Sequence, residues 1–255
     1  MPSTLACIGL DVAGLDELNQ HLTAMPTRVA GRLRGVESVR HDDPSGSRVV
    51  VVQDPDGQTI DLVPSYDGVP GARLGGLVPH GAVVLADVLD DDDQLVTRLA
   101  VDLEQRRHLG AGLAGPVRAS VAALGVEMTV HADAAAFAAS EASLLGEPGP
   151  EEQRFAAESF VSYGAFADPA AAEPTAHLAG TVLLSEGRTH EVTGQRFQVA
   201  KVRTLGFEVT VCLAASAHPE VPQPGQVVAG SCWLVADVPT LWTVEPPRRR
   251  RRGRR

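Results

Sequence analysis

Several groups of residues in this sequence have types and spacings that could do chemistry, and each needs a particular local structure to do it. Gly110-Ala-Gly-Leu-Ala-Gly115 matches G-x-G-x-x-G, whose glycines let the backbone close on a pyrophosphate at the N-terminus of a helix. Here the glycines follow a predicted helix and run into Pro116, so the phosphate-binding context is missing and a connecting loop is expected. Asp90 to Asp93 offers consecutive carboxylates, the oxygen ligands that Ca²⁺ or Mg²⁺ prefers. Neighbouring side chains do not converge on one point, however, and anions suit the start of a helix, which is the role expected for them. Asp54 and Asp56 sit in a Pro-Asp-Gly turn, where Asp and Gly are ordinary turn formers. Glu127 and His131, four apart, would share one face of a strand and could exchange a proton, although such a pair more often makes an ordinary sheet contact. The eight histidines form no H-E-x-x-H and no metal spacing with a cysteine, and G-x-S-x-G, C-x-x-C and the P-loop are absent. No nucleophile or general base is marked, so catalysis stays open, with the balance toward a protein that is not an enzyme and needs no cofactor.

The sharpest chemical feature is electrostatic. Seven arginines (Arg248, Arg249, Arg250, Arg251, Arg252, Arg254 and Arg255) occupy the last eight positions, leaving 15 basic against 32 acidic residues in 1–247, a net of −17. So dense a run of like charge is expected to be a disordered arm. Arginine carries permanent charge and bidentate phosphate geometry, which makes nucleic acid a natural partner. The acidic body, a neighbouring subunit or another acidic protein surface is the rival, and a possible homodimer follows from it; an anionic membrane surface is a further alternative.

The arithmetic of 255 residues, 44% hydrophobic and 21% charged, excludes a disordered or fibrous chain and allows two modest domains. No apolar run reaches the roughly 18 residues of a membrane span, and Asp11, Asp16 and Glu17 stand where a signal peptide would be apolar, so a cytoplasmic protein is expected. Three scattered cysteines, Cys7, Cys212 and Cys232, argue against a disulfide framework. A single lysine among the basic residues, with much Ala, Gly, Val and Asp, points to a high-GC bacterial source of actinobacterial type.

The elements that must carry these residues fall in two regions, because one aromatic, Tyr66, lies in residues 1–136 and the other nine run from Phe137 to Trp242. The expected fold class is α+β. Residues 1–145 read as a mixed-sheet domain, divisible into halves 1–78 and 79–145; 146–175 as a linker; 176–243 as a small OB-like β-barrel; and 244–255 as the basic tail. In the first half, a strand over Thr4–Val12 is followed by a helix with Leu15, Leu18 and Leu22 on one face, ending at Pro26. Three antiparallel strands over 35–41, 48–53 and 59–63 come next. The second half starts with a strand over 82–88 and a helix over 94–109, in which Leu95, Leu99 and Leu103 stack and Gly110 caps the end. Asp16-x-Leu18-x₃-Leu22 and Asp93-x-Leu95-x₃-Leu99 then form a weak internal repeat. In the barrel, Phe197, Lys201 and Arg203 share a strand face, so Lys201 and Arg203 are candidates for contacting a strand of nucleic acid, while Phe197 and Phe207 are read first as core.

Residues 3–66 resemble a βαβββ half-module of the vicinal-oxygen-chelate superfamily, which includes glyoxalase and bleomycin-resistance proteins. The carrying residues are Asp54-Pro-Asp-Gly-Gln-Thr-Ile-Asp-Leu-Val63 behind Cys7-Ile-Gly-Leu-Asp-Val12. The resemblance implies a divalent metal held by a last-strand carboxylate and a first-strand ligand, which here fall on Asp61 and Cys7. Both differ from the family's usual Glu and His, the thiol being the softer ligand. The function expected is that of a non-catalytic binding or scaffold protein whose tail contacts nucleic acid or an acidic protein surface. The alternative is a divergent small-molecule or metal-binding protein or enzyme of the vicinal-oxygen-chelate kind.

Overall fold

The computed structural model describes residues 2–145 and 153–244; the arginine run and the first part of the expected linker, 146–152, lie outside them. Strands dominate, in two sheets, and no helix among the described residues is long and apolar enough to cross a membrane.

The chain opens with one 3-10 turn, Ala6–Ile8, where the sequence predicts a strand. Local hydrogen bonds from Ile8 N to Leu5 O and from Gly9 N to Ala6 O curl the backbone, and the left-handed Gly9 (φ 76°) ends the turn. Helix α1 (Leu15–Ala24) follows as expected, with Leu18 and Leu22 buried and Leu15 outside. Four strands then form an antiparallel meander: β1 (Thr27–Leu33), β2 (Val36–Asp42), β3 (Ser47–Gln53) and β4 (Thr59–Tyr66). The last three match expectation. β1 has no signal in the sequence because it is an edge strand, largely exposed at its start and without an alternating apolar face.

The turn between β3 and β4 has a counterpart in the acidic run. At Asp54 the backbone N–H donates to Gln58 O (2.9 Å), its carbonyl accepts from Gly57 N (3.0 Å), and its carboxylate accepts from Asp56 N. At Asp90 the same three bonds go to Gln94 O (3.0 Å), from Asp93 N (3.2 Å) and from Asp92 N. The fourth residue of each loop is left-handed, Gly57 at φ 83° and Asp93 at φ 60°. Asp90 to Asp93 therefore closes a hairpin and does not begin a helix, and the helix expected over 94–109 is a strand and a 3-10 turn. Leu95, Leu99 and Leu103 are four apart, which suits one face of a helix and equally one face of a strand, since four is even.

The second sheet contains β5 (Ala72–His80), β6 (Val83–Leu89), β7 (Leu95–Leu103), β8 (Val117–His131), β9 (Ser159–Ser162), β10 (Thr175–Thr189), β11 (Arg196–Arg203), β12 (Glu208–Ala214) and β13 (Val227–Asp237). Its pairings return on themselves twice. One ring runs β5–β6–β7–β13–β8 and back to β5; the other runs β10–β11–β12–β8–β13 and back to β10. Both rings use the antiparallel pair β8–β13, and each is closed by one parallel pairing, β7 with β13 and β12 with β8. Two three-stranded meanders, β5–β6–β7 and β10–β11–β12, are each followed by a strand, β8 and β13, that completes the other's ring, so the two rings are related by pseudo-symmetry. The ring that holds the strands expected over 176–243 takes its fifth strand from residues 117–131. Strand β9 lies inside the expected linker.

The internal repeat that corresponds to this symmetry is Ala72-x-Leu74-x-Gly76-x-Val78 against Ala176-x-Leu178-x-Gly180-x-Val182, at the start of β5 and β10. The repeat expected at Asp16 and Asp93 joins a helix to a strand and has no structural counterpart. One core fills the two rings with Leu74, Val84, Leu99, Leu178, Val202 and Leu234 among others. A second core packs Cys7, Leu18, Val49 and Tyr66 onto Phe197 and Cys212, on the outer face of the second ring.

Candidate functional site

β3 reads Ser-Arg-Val-Val-Val-Val-Gln, and its alternation decides where its charge goes. Val49 and Val51 join the core with Cys7, whereas Val50 and Val52 lie on the opposite face, and Arg48 shares their parity. Arg48 is 2% exposed and its guanidinium is surrounded by carboxylates from four other parts of the chain. Nε donates to Asp42 (2.8 Å), Nη1 donates to Glu104 (3.0 Å) and Asp237 (2.9 Å), and Nη2 donates to Asp67. Arg40 also donates to Asp42, Ser65 Oγ donates to Glu104 (2.6 Å), and Gln105 donates to Asp237. Two guanidiniums therefore face four carboxyl groups.

That imbalance shows in the proton affinities. Burial pushes Glu104 up to about 7, against the pull of Arg48, and its Oε2 has no hydrogen-bond partner. Burial also opposes ionisation of Asp42, but hydrogen bonds and charge from Arg40 and Arg48 hold it below the usual carboxylate range. Burial drives Asp102, two residues before Glu104, up to about 6 although Arg106 opposes it. The same short segment continues the contact: Arg106 donates to Asp61, Arg107 approaches Asp61 at 3.4 Å, and His108 Nε2 lies 3.0 Å from Ser38 Oγ. Burial lowers His108. Residues 102–108 thus couple the end of β7 to β3 and β4 through ion pairs and to β2 through the His108–Ser38 hydrogen bond. The cluster joins the two sheets through buried hydrogen bonds and ion pairs, from Arg48 and Ser65 on one to Glu104 and Asp237 on the other.

Cys7 and Asp61 do not meet. Asp61 shares strand parity with Val63 and Ser65 on the Arg48 face of the four-stranded sheet, while Leu62 and Tyr66 face the core that contains Cys7. The Cys7 thiol is fully buried, bonded to Gly125 O (3.3 Å) and pushed by burial up to about 12, and Asp61 is taken up by two arginines. A thiol and a carboxylate on opposite faces of a sheet cannot share one divalent metal, and no group of three or more His, Cys, Asp or Glu among the described residues could hold one.

The other candidates are also accounted for locally. Lys201 pairs with Glu208, and Arg203 donates to Glu158 (2.8 Å). Phe197 and Phe207 are core, each in an edge-to-face contact, with Tyr66 and Phe160 respectively. His131 lies 2.8 Å from Thr129 Oγ1 and packs on the Phe137 ring rather than on Glu127. Gly110 to Gly115 lies in the connection from the 3-10 turn Arg106–His108 to β8, with Gly110 and Gly112 left-handed.

A cavity of about 420 Å³ opens on the outer face of β10, β11 and β12. Its floor includes Leu184, Val199 and Tyr66, and a strap, residues 67–71, forms one wall. Burial pushes the Tyr66 phenol up to about 12. The residues of this cavity and of the Arg48 cluster come from distant segments, so spacing carried no signal for them; only an arginine in phase with buried valines on β3 marked Arg48 as unusual. No protein-family model, curated protein or solved structure matches the chain.

Proposed function

We propose that this chain is a non-catalytic binding protein whose C-terminal arginines, Arg248 to Arg252 with Arg254 and Arg255, hold a nucleic acid. The observation that carries this reading is that the described body pairs most of its cations with its own carboxylates. Arg28 and Arg40 pair with Asp42, Arg32 with Glu37, Arg73 with Asp93, Arg98 with Asp87, Arg188 with Glu186, Lys201 with Glu208 and Arg203 with Glu158. With a net of −17 over residues 1–247, the body repels a polyanion, and phosphate contact falls to the arginine run. Lys201 and Arg203 take no part, being neutralised by their partners. A role as a metal-dependent relative of the vicinal-oxygen-chelate proteins draws no support from the separated Cys7 and Asp61.

The test is binding of the full chain and of a chain ending at residue 247 to RNA and duplex DNA over a salt series. Binding is expected to vanish on truncation and to fall steeply with salt, with a log–log slope of up to about −6 for seven arginines on duplex. If neither chain binds at about 0.1 M salt, the nucleic-acid reading fails. An acidic protein surface, or the acidic body of a second copy, is then the partner to test by the dependence of oligomeric size on salt.

A further inference from the structure

The cavity over β10, β11 and β12 has no part in the function proposed above. Its floor is built by cross-strand register: Leu184 lies opposite Lys201, Glu186 opposite Val199, Lys201 opposite Thr210, and Val199 opposite Cys212. At one end the face is roofed by the core around Phe197 and Tyr66; at the other it emerges with Leu184 66% exposed. The strap across it is anchored at both ends. Asp67 N donates to Gly46 O (2.8 Å) while its carboxylate accepts from Arg48, and Gly71 N donates to Ala119 O (3.1 Å). Between the anchors Gly68 passes so close to β12 that an added Cβ would lie 3.2 Å from Thr210 Oγ1, and Val69 is 82% exposed. Isolated exposed apolar residues are common, but here two of them line a single preformed cavity from its strap and from its floor.

Charge decides what the cavity suits. Around it, Arg188 donates to Glu186, Lys201 pairs with Glu208, and Asp67 is occupied by Arg48. A charged ligand would have to compete with one of these half-exposed pairs, whereas an uncharged one gains from the apolar part of the floor without that competition. A cavity lined with aliphatic side chains holds one benzene ring in about 150 Å³, so the volume here corresponds to two or three rings. We propose that this cavity is a binding site for an uncharged, largely apolar small molecule of two or three rings.

The probe is N-phenyl-1-naphthylamine, an uncharged three-ring fluorophore, titrated into the full chain. Its anionic counterpart 8-anilinonaphthalene-1-sulfonate serves as the charge control. Saturable enhancement at one site is expected for the uncharged probe, with the sulfonate about tenfold weaker or more, which is a difference of about 1.4 kcal/mol. Leu184→Glu and Val69→Glu, both at exposed positions, are each expected to weaken the uncharged probe by about tenfold, while Val78→Glu, at a residue 51% exposed on β5, leaves it unchanged. Melting curves confirm that the variants fold. Absence of saturable binding, equal affinity for the two probes, or equal loss in Val78→Glu overturns the proposal. Because the tail is not involved, the chain ending at 247 binds the probe like the full chain, so failure here and failure of the nucleic-acid reading are separate results.

Discussion

Replacing Arg48 with Met tests whether the carboxylate cluster joins the two sheets. The guanidinium is 2% exposed and donates to Asp42, Glu104 and Asp237 at 2.8, 3.0 and 2.9 Å, and to Asp67 as well. Methionine fills much of the volume but leaves Glu104 and Asp237 facing each other in the interior without their cation. Breaking a buried pair on one side costs about 3–5 kcal/mol, which for a chain of this size lowers the melting temperature by on the order of 10 °C. The loss depends on pH in a definite direction. Glu104 sits at about 7 in the folded protein against 4.5 when unperturbed, so the folded chain holds this proton more tightly than the unfolded chain. The stability that Glu104 contributes is complete below about 4.5 and is lost as pH climbs through about 7. At pH 5 Glu104 is therefore already neutral and Arg48 has one fewer anion to balance, so Arg48→Met costs less there than at pH 8. Urea unfolding of both proteins at the two pH values measures the difference. A variant within about 1 kcal/mol of the parent at both values, less than any broken buried pair should cost, refutes the account of the cluster.

Glu104→Gln, a neutral isostere, should flatten the stability profile between pH 4.5 and 7 and raise stability at pH 8 by up to about 3 kcal/mol, read by the same unfolding curves. Gly230 on β13 has φ 142°, and an added Cβ would stand 2.0 Å from Glu127 O on β8. Gly230→Ala should therefore destabilise by about 3 kcal/mol or more, because it forces apart the strand pair that both rings use. Gly225→Ala, also left-handed (φ 89°) but with open space around it, should cost only about 1 kcal/mol, and similar losses at the two sites would count against the shared pair. Cys7 and Cys232 are buried thiols pushed up to about 12, and Cys212 is raised as well, so all three should resist a disulfide reagent in the native protein and react at the rate of unfolding.

Local chemistry was legible wherever neighbours in sequence are neighbours in space. Helix α1 followed from Leu18 and Leu22 and ended where Pro26 forbids continuation. The strands of 48–53 and 59–63 followed from β-branched runs bounded by Asp-Pro turns, because the turn residues themselves carry the hydrogen bonds that close them. The helix expected over 94–109 failed for an equally local reason. A four-residue spacing satisfies both periods, and Asp serves a helix start and a hairpin equally well, so only the partner strand β6 could decide between them.

The amino-acid order by itself determined the charge division between body and tail, the scarcity of aromatics before residue 137, and the turns. These are properties of composition and of residues within a few positions of one another. Tertiary structure alone decided the exchange of β8 and β13 between two rings, the meeting of Arg48 with Asp237 across 189 positions, and the separation of Cys7 from Asp61. Each of these depends on which strands pair and in what register. That choice is made by burying apolar faces together, and it carries the polar residues along to positions their spacing does not encode.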